Sequence, residues 1–567
     1  MRFQTSTLLI IFALCSSNLI AQTDAINERA MLIVKKRKDP GLSINDAMDA
    51  LANEPEPNLV WLVTGVFTNY PDTTPEQAAQ LLSAAVSRED CFHQIAAQIA
   101  LSKNALPSID LLLAQKGNES KFAAATVMAI RSQLSFAKIK GKGAKGIGKP
   151  IDFTDQIRPL LENKNREIVE LAILTAAYSG ANLDNEVDAV SFKKSPETMA
   201  AQALYNAKRG RPLPDSMSEL TGMRVKSDRK YQKMSAALST FDPTAHPFCY
   251  AAQAIGIAKE KGELEFLHEA LTNRDIRVQM DAAHALELIG DEYSVDPLIA
   301  ALPKATWPAR TKIYSALGAI PAKRSMPVLI QEMKDEPGRL RLDISYTMAS
   351  IIGQDVGGDA EGWETTWKAM EADFEVNLKT TTDFRRDNSL TDMRVRALGS
   401  FYDLGIYSAK FIYVVDTSAS MKGERIKNLE ENLSTSTADL KEPAEFNIIM
   451  FGGELDFASD RMITATSGTY VADQISNLKL SVATRTFDAI YMAGQFDEID
   501  SIYFLSDGAP VLGSFGKWYT IIPAYKFLNR YRPIAMYTVP YNAGAGNEKA
   551  MKAFSSENYG RCSGLNE

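Results

Sequence analysis

The sequence predicts a multidomain protein in two parts: an all-α solenoid of stacked helical pairs, then a doubly wound α/β domain. Three observations lead there. From about residue 24 to 368, apolar residues recur at three- and four-residue spacing in segments broken by Gly, Pro and Asn, the mark of short amphipathic helices. Within that region Ala285-Leu286, Ala316-Leu317 and Thr347-Met348 stand 31 residues apart, and self-similarity at a fixed period points to stacked pairs. From Lys410 onward, continuous apolar runs such as FIYVVD and SIYFLS alternate with helical patterns, as in a buried parallel sheet.

The 567 residues include 62 Lys+Arg against 70 Asp+Glu, a formal charge of −8, and 45% are hydrophobic. This composition is globular. It excludes a disordered tail, a collagen-like rod and a strongly basic nucleic-acid binder. At the amino end Arg2 precedes the apolar run from Leu8 to Cys15, and small Ala21 offers a cleavage point. Residues 1–21 therefore read as an export signal, and the protein is expected in the periplasm, at the envelope or outside the cell. A run of eight residues is far short of the roughly 20 that span a bilayer, so no transmembrane segment is expected. Beyond the signal, Cys91, Cys249 and Cys562 form an odd set without CxxC spacing, and the four histidines are scattered, which predicts neither a disulfide framework nor a zinc site.

The helical region is read over residues 22–370, with its clearest repeats at 265–353. Each repeat follows a charged run (RDIRVQ, WPARTK, GRLRLD), which predicts a small-residue face toward the neighbouring pair and a basic face toward solvent. The segment resembles the short class of HEAT repeats, whose usual role is protein contact. Trp363 and Trp367, four apart on one helix face, are read as a hydrophobic cap on the last repeat. The loop GKGAKGIGKP has the GxxxxGK spacing of a phosphate loop, but Pro150 stands where a magnesium-binding Ser or Thr belongs, so nucleotide binding is not expected. Residues 371–408 are polar and aperiodic and read as a linker.

In a doubly wound sheet the ligand crevice lies beyond the carboxyl ends of the strands. There the sequence places Asp416, Ser418 and Ser420 after the first strand, Thr484 before a helix, and Asp507 after the strand SIYFLS. All are hard oxygen donors. In chain order they resemble the DxSxS, Thr and Asp pattern of a von Willebrand factor A (VWA) domain with a metal-ion-dependent adhesion site (MIDAS), spanning residues 409–567. The resemblance implies that the Ser418 and Ser420 hydroxyls coordinate a divalent cation, that Thr484 does so directly or through water, and that Asp416 and Asp507 hold waters. It also implies one position left for an Asp or Glu of a protein partner. Mg²⁺ is the expected ion, with Mn²⁺ or Ca²⁺ as alternatives, because Mg²⁺ takes six oxygens and keeps several waters. Two carboxylates give the site a formal −2. Val482-Ala483 departs from the glycines that the family often carries before the Thr, and Ser420 is expected to help cap the following helix.

Helical repeats joined to such a domain resemble exported bacterial proteins of HEAT-VWA type. The expected function is noncatalytic protein binding, in adhesion or as a scaffold. Two alternatives stand beside it: an accessory subunit of an ATPase or metal-insertion machine, against which the export signal speaks, and a hydrolase whose groups converge only in three dimensions. The linker is long enough for the helical stack to fold back over the metal face.

Overall fold

The structure, a computed structural model, describes residues 152–222, 247–376 and 397–564, apart from 193–194, 355, 357–358, 468–477, 479, 481–483, 497 and 511–517, together with scattered helical positions between 109 and 130. Residues 1–21, read as an export signal, Cys91, the GKGAKGIGKP loop and Val482-Ala483 lie outside the described residues.

The first part is helical: α1 (Thr154–Leu161), α2 (Arg166–Ser179), α3 (Asp184–Asp188), α4 (Pro196–Lys208), α5 (Ser216–Thr221) and α6 (Pro247–Ala258) precede the clear repeats. Those are α7 (Leu264–Ala270) with α8 (Ile276–Ile289), α9 (Val295–Ala301) with α10 (Trp307–Ala319), and α11 (Ser325–Asp335) with α12 (Leu340–Ile352). Punctuation is local. Asn165 and Asp275 accept the backbone N–H two residues on and start α2 and α8, and Gly290 (φ 69°) ends α8 in the left-handed conformation that only glycine adopts cheaply. The helices α2, α4, α6, α8, α10 and α12 stack in succession. The 31-residue register lies along that stack, with Ala285, Leu286, Ala316, Leu317, Thr347 and Met348 all buried. Trp363 and Trp367 on α13 (Ala360–Met370) close the same core as a cap.

The second part opens earlier than the sequence indicated. Residues 397–408, read as linker, contain an antiparallel hairpin, β1 (Gly399–Phe401) and β2 (Leu404–Ile406). Its Phe401, Leu404 and Ile406 are buried in the α/β core. Then follow β3 (Lys410–Asp416), α14 (Glu424–Ala438), β4 (Glu445–Phe451), β5 (Leu455–Phe457), β6 (Ile463–Thr464), α15 (Thr486–Ala493), β7 (Ser501–Ser506), α16 (Trp518–Leu528), β8 (Ala535–Pro540) and α17 (Ala545–Ser556). The sheet order is β5-β4-β3-β7-β8, with β6 also on β4; β4, β3, β7 and β8 are parallel, β5 and β6 antiparallel. Side chains alternate between the two faces. Phe411, Tyr413 and Val415 join α14 in one core, while Ile412 and Val414 join α15, α16 and α17 in the other.

The two parts meet at the amino ends of the strands. Tyr531, just before β8, donates to Asp281 Oδ2 on α8 at 2.6 Å, and Arg530 Nη2 donates to its Oδ1 at 3.2 Å. Arg339 at the start of α12 is buried, donating to the Pro533 carbonyl at 3.2 Å and lying 3.3 Å from Asp343 and 4.0 Å from Asp500. This corrects two readings. The basic run GRLRLD does not wholly face solvent, since its Arg339 is the core of the junction, and the helical stack docks on the sheet end opposite Asp416 and Asp507. β3 has seven residues, so about 20 Å of strand separates the two ends.

Candidate metal centre

With β4 on one side of β3 and β7 on the other, the chain reverses its order at β3, and in such sheets ligands bind beyond the carboxyl ends of the strands at that point. Asp416 ends β3 and is fully buried. Its Oδ1 accepts the Ser418 N–H at 2.8 Å, and its Oδ2 accepts the Ser506 hydroxyl at 2.6 Å. Burial pushes the Asp416 carboxyl up to about 6, opposed by the hydrogen bonds from Ser506 and Ser418 and assisted by the charge of Asp507.

From there the donors form a chain. Ser418 Oγ lies 2.9 Å from Ser420 Oγ, and Ser420 Oγ donates to Asp507 Oδ1 at 2.8 Å. Asp507, directly after β7, exposes 1% of its side chain. The loops on either side hang from consecutive residues at the end of β4: Thr417 N–H donates to the Phe451 carbonyl at 2.8 Å and Arg485 N–H to the Gly452 carbonyl at 3.1 Å. That brings the buried Thr484, two residues before α15, to the same end of the sheet. Among the described residues Thr484 makes no hydrogen bond to the other four, which are joined to one another. Ser420 does not cap α14, whose N-cap is Gly423 without a side-chain bond; its hydroxyl goes to Asp507 instead.

Two members were not singled out from the sequence. Ser506 is the polar residue that closes the apolar run of β7, a signal that adjoins Asp507. Arg425, in the first turn of α14, donates to Asp507 Oδ2 and, at 3.2 Å, to the Ser420 carbonyl. Its guanidinium lowers the formal charge from −2 to −1, two carboxylates against one cation. Hydroxyls and carboxylates are the donors that hard cations such as Mg²⁺ and Ca²⁺ prefer, and nothing in the set suits a soft metal. Among the described residues no group of three or more His, Cys, Asp or Glu is placed to hold a metal, so this hydroxyl-rich cluster is of a different kind.

Fold and centre together define a chain of helical repeats followed by an α/β domain with an oxygen-donor cluster at its strand ends. Residues 264–349 match the family described as HEAT repeats. Over 168 residues the chain is 27% identical to inter-alpha-trypsin inhibitor heavy chain H1 of Mesocricetus auratus; the match covers 26% of this chain and 18% of that protein. The chain thus spans under a fifth of that relative's length. A solved structure of an engineered protein covers 62% of this chain and 89% of its own at 15% identity, with a TM-score of 0.28, too low to bear on the fold. No described helix is long and apolar enough to cross a membrane.

Proposed function

We propose that the protein is an exported, noncatalytic binding scaffold whose α/β domain is a VWA domain with a MIDAS, gripping an acidic side chain of a protein partner through a divalent cation, Mg²⁺ first. One observation carries this: Asp416, Ser418, Ser420 and Asp507 form a single hydrogen-bonded chain of oxygen donors at the carboxyl ends of β3 and β7. Ser418, Ser420 and Thr484 would hold the ion through neutral hydroxyls, and Asp416 and Asp507 would orient its waters. When bound, the ion supplies a Lewis-acidic contact for the partner's carboxylate. Ser506 and the Ser418 N–H hold the Asp416 carboxylate in place. The HEAT repeats support a role in protein contact, offering a second broad surface.

The test is thermal unfolding of the full chain with Mg²⁺, Mn²⁺ or Ca²⁺ against chelator. Ion at 100 times its dissociation constant stabilises by about 2.7 kcal/mol, and Ser418→Ala and Asp416→Ala abolish the shift. A folded wild-type chain whose unfolding midpoint ignores all three ions at millimolar concentration would sink the proposal.

A further inference from the structure

We propose that Arg425 is an internal counter-cation of the centre, competing with the divalent ion for Asp507 and thereby setting the ion concentration at which the site becomes able to bind. This rests on the metal-binding reading above. Asp507 has both oxygens engaged, Oδ1 by the Ser420 hydroxyl and Oδ2 by Arg425. Arg425 also holds the Ser420 carbonyl, so one guanidinium ties the loop after β3 to the loop after β7. Those are the two arms between which the donors converge.

The position of Arg425 has no local explanation. It stands in the first turn of α14, where the helix dipole disfavours a cation and favours an acid such as the adjacent Glu424. Its placement is offset by the nearly buried Asp507 carboxylate, for which the guanidinium is the charged partner. Arg485, another arginine at this end of the sheet, is 3.0 Å from Asp488, and Lys422 is exposed. Arg425 is itself 38% exposed, so its long stem can swing into solvent without opening a core. A divalent ion drawn to Ser418, Ser420 and Asp507 meets a carboxylate already neutralised, and its apparent affinity falls by the factor with which Arg425 favours the closed state. Once released, the guanidinium stands at the rim of a site meant for a carboxylate.

The experiment measures Mn²⁺ affinity of the full chain by titration calorimetry for wild type, Arg425→Ala and Arg425→Gln, with unfolding midpoints in chelator and at saturating Mn²⁺. Both variants are expected to bind Mn²⁺ about tenfold more tightly than wild type. In chelator they unfold at lower temperature, because Asp507 has lost its partner, and the gap closes at saturating ion. Gln keeps an N–H donor for the Ser420 carbonyl, so the comparison survives if the Ala chain folds poorly. Wild-type binding with unchanged or weaker affinity in both variants would overturn the inference and leave the metal-binding reading standing. Absence of Mn²⁺ binding by all three folded chains would remove that reading itself.

Discussion

At the scale of single residues, a second buried carboxylate has a consequence that can be measured. Glu170 on α2 is 5% exposed, and its Oε1 accepts from Ser195 and Thr198, each at 3.1 Å, with Arg166 at 3.1 Å and Glu197 sharing that arginine at 3.8 Å. Burial pushes its carboxyl up to about 7, Arg166 opposing and Glu197 adding to the rise. A folded value above the unfolded 4.5 means that the favourable contribution is complete below pH 4.5 and is lost as pH rises through about 7. Glu170→Gln, which keeps the acceptor and removes the charge, should gain up to about 3 kcal/mol over wild type at pH 8 and little at pH 4.5. Urea unfolding at the two pH values checks this, and an equal difference at both would refute it. Residues of this kind mark the limit of sequence reading. The five oxygen donors could be found because DxSxS, Thr and Asp each sit at a strand end or helix start. Arg425 could not, since 82 residues separate it from the carboxylate that it pairs with.

At the scale of elements, the 31-residue register makes a paired prediction. Gly256 on α6 and Gly318 on α10 are 62 residues apart, two periods, and so occupy the same position in their stacks. A Cβ on Gly256 would lie 2.7 Å from Ala285 Cα and 2.9 Å from Ala285 Cβ, forcing α6 and α8 apart. A Cβ on Gly318 would meet Ser350 and Thr347 at 3.6 Å, ordinary contact. Gly256→Ala should therefore cost about 1–3 kcal/mol by overpacking, while Gly318→Ala should be neutral or gain up to about 1 kcal/mol from helix propensity. Denaturant midpoints decide it; equal losses would mean that the stack is not built as described. The register was legible because helical periodicity is local and repeats, and β3 and β7 were legible because strands buried on both faces are continuous apolar runs. The hairpin β1-β2 was not. Its strands have three residues each, too few for a period, and the burial of Phe401 and Ile406 comes from α/β residues distant in sequence.

At the scale of the whole molecule, the junction decides whether the two parts unfold as one. Each has its own core, and among the described residues the apolar contact between them is small: Trp307, which packs against both, and two clusters, Leu342, Tyr346 and Tyr407 in one and Met280, Ala309 and Tyr531 in the other. Polar ties carry the rest. Asp281 alone accepts from Gln253 at 3.0 Å within the helical part and from Arg530 and Tyr531 across the junction. A charged run ordinarily faces water, so nothing in GRLRLD announced that Arg339 would be buried between the two parts; that is fixed by Pro533 and Asp500, distant in sequence. Removing Asp281 leaves the buried Tyr531 hydroxyl without its acceptor and takes the carboxylate from Arg530, which keeps Tyr178, at a cost of about 3 kcal/mol, whereas Tyr531→Phe removes one hydrogen bond and costs about 1 kcal/mol. An interface of this polarity holds two stable cores together only while its ties are intact. In guanidinium, wild type should unfold in one transition, because loss of either part exposes the buried face of the other. Asp281→Ala should split that transition, the helical part reported by Trp363 and Trp367 and the α/β part by Trp518, all buried in their own cores. Tyr531→Phe should shift the midpoint and keep a single transition. If Asp281→Ala also unfolds in one step at an unchanged midpoint, the coupling resides in the apolar clusters. The oxygen-donor cluster at Asp416 and Asp507 then stays aimed away from the repeats by packing at Tyr407 and Tyr531, independently of the ion pair.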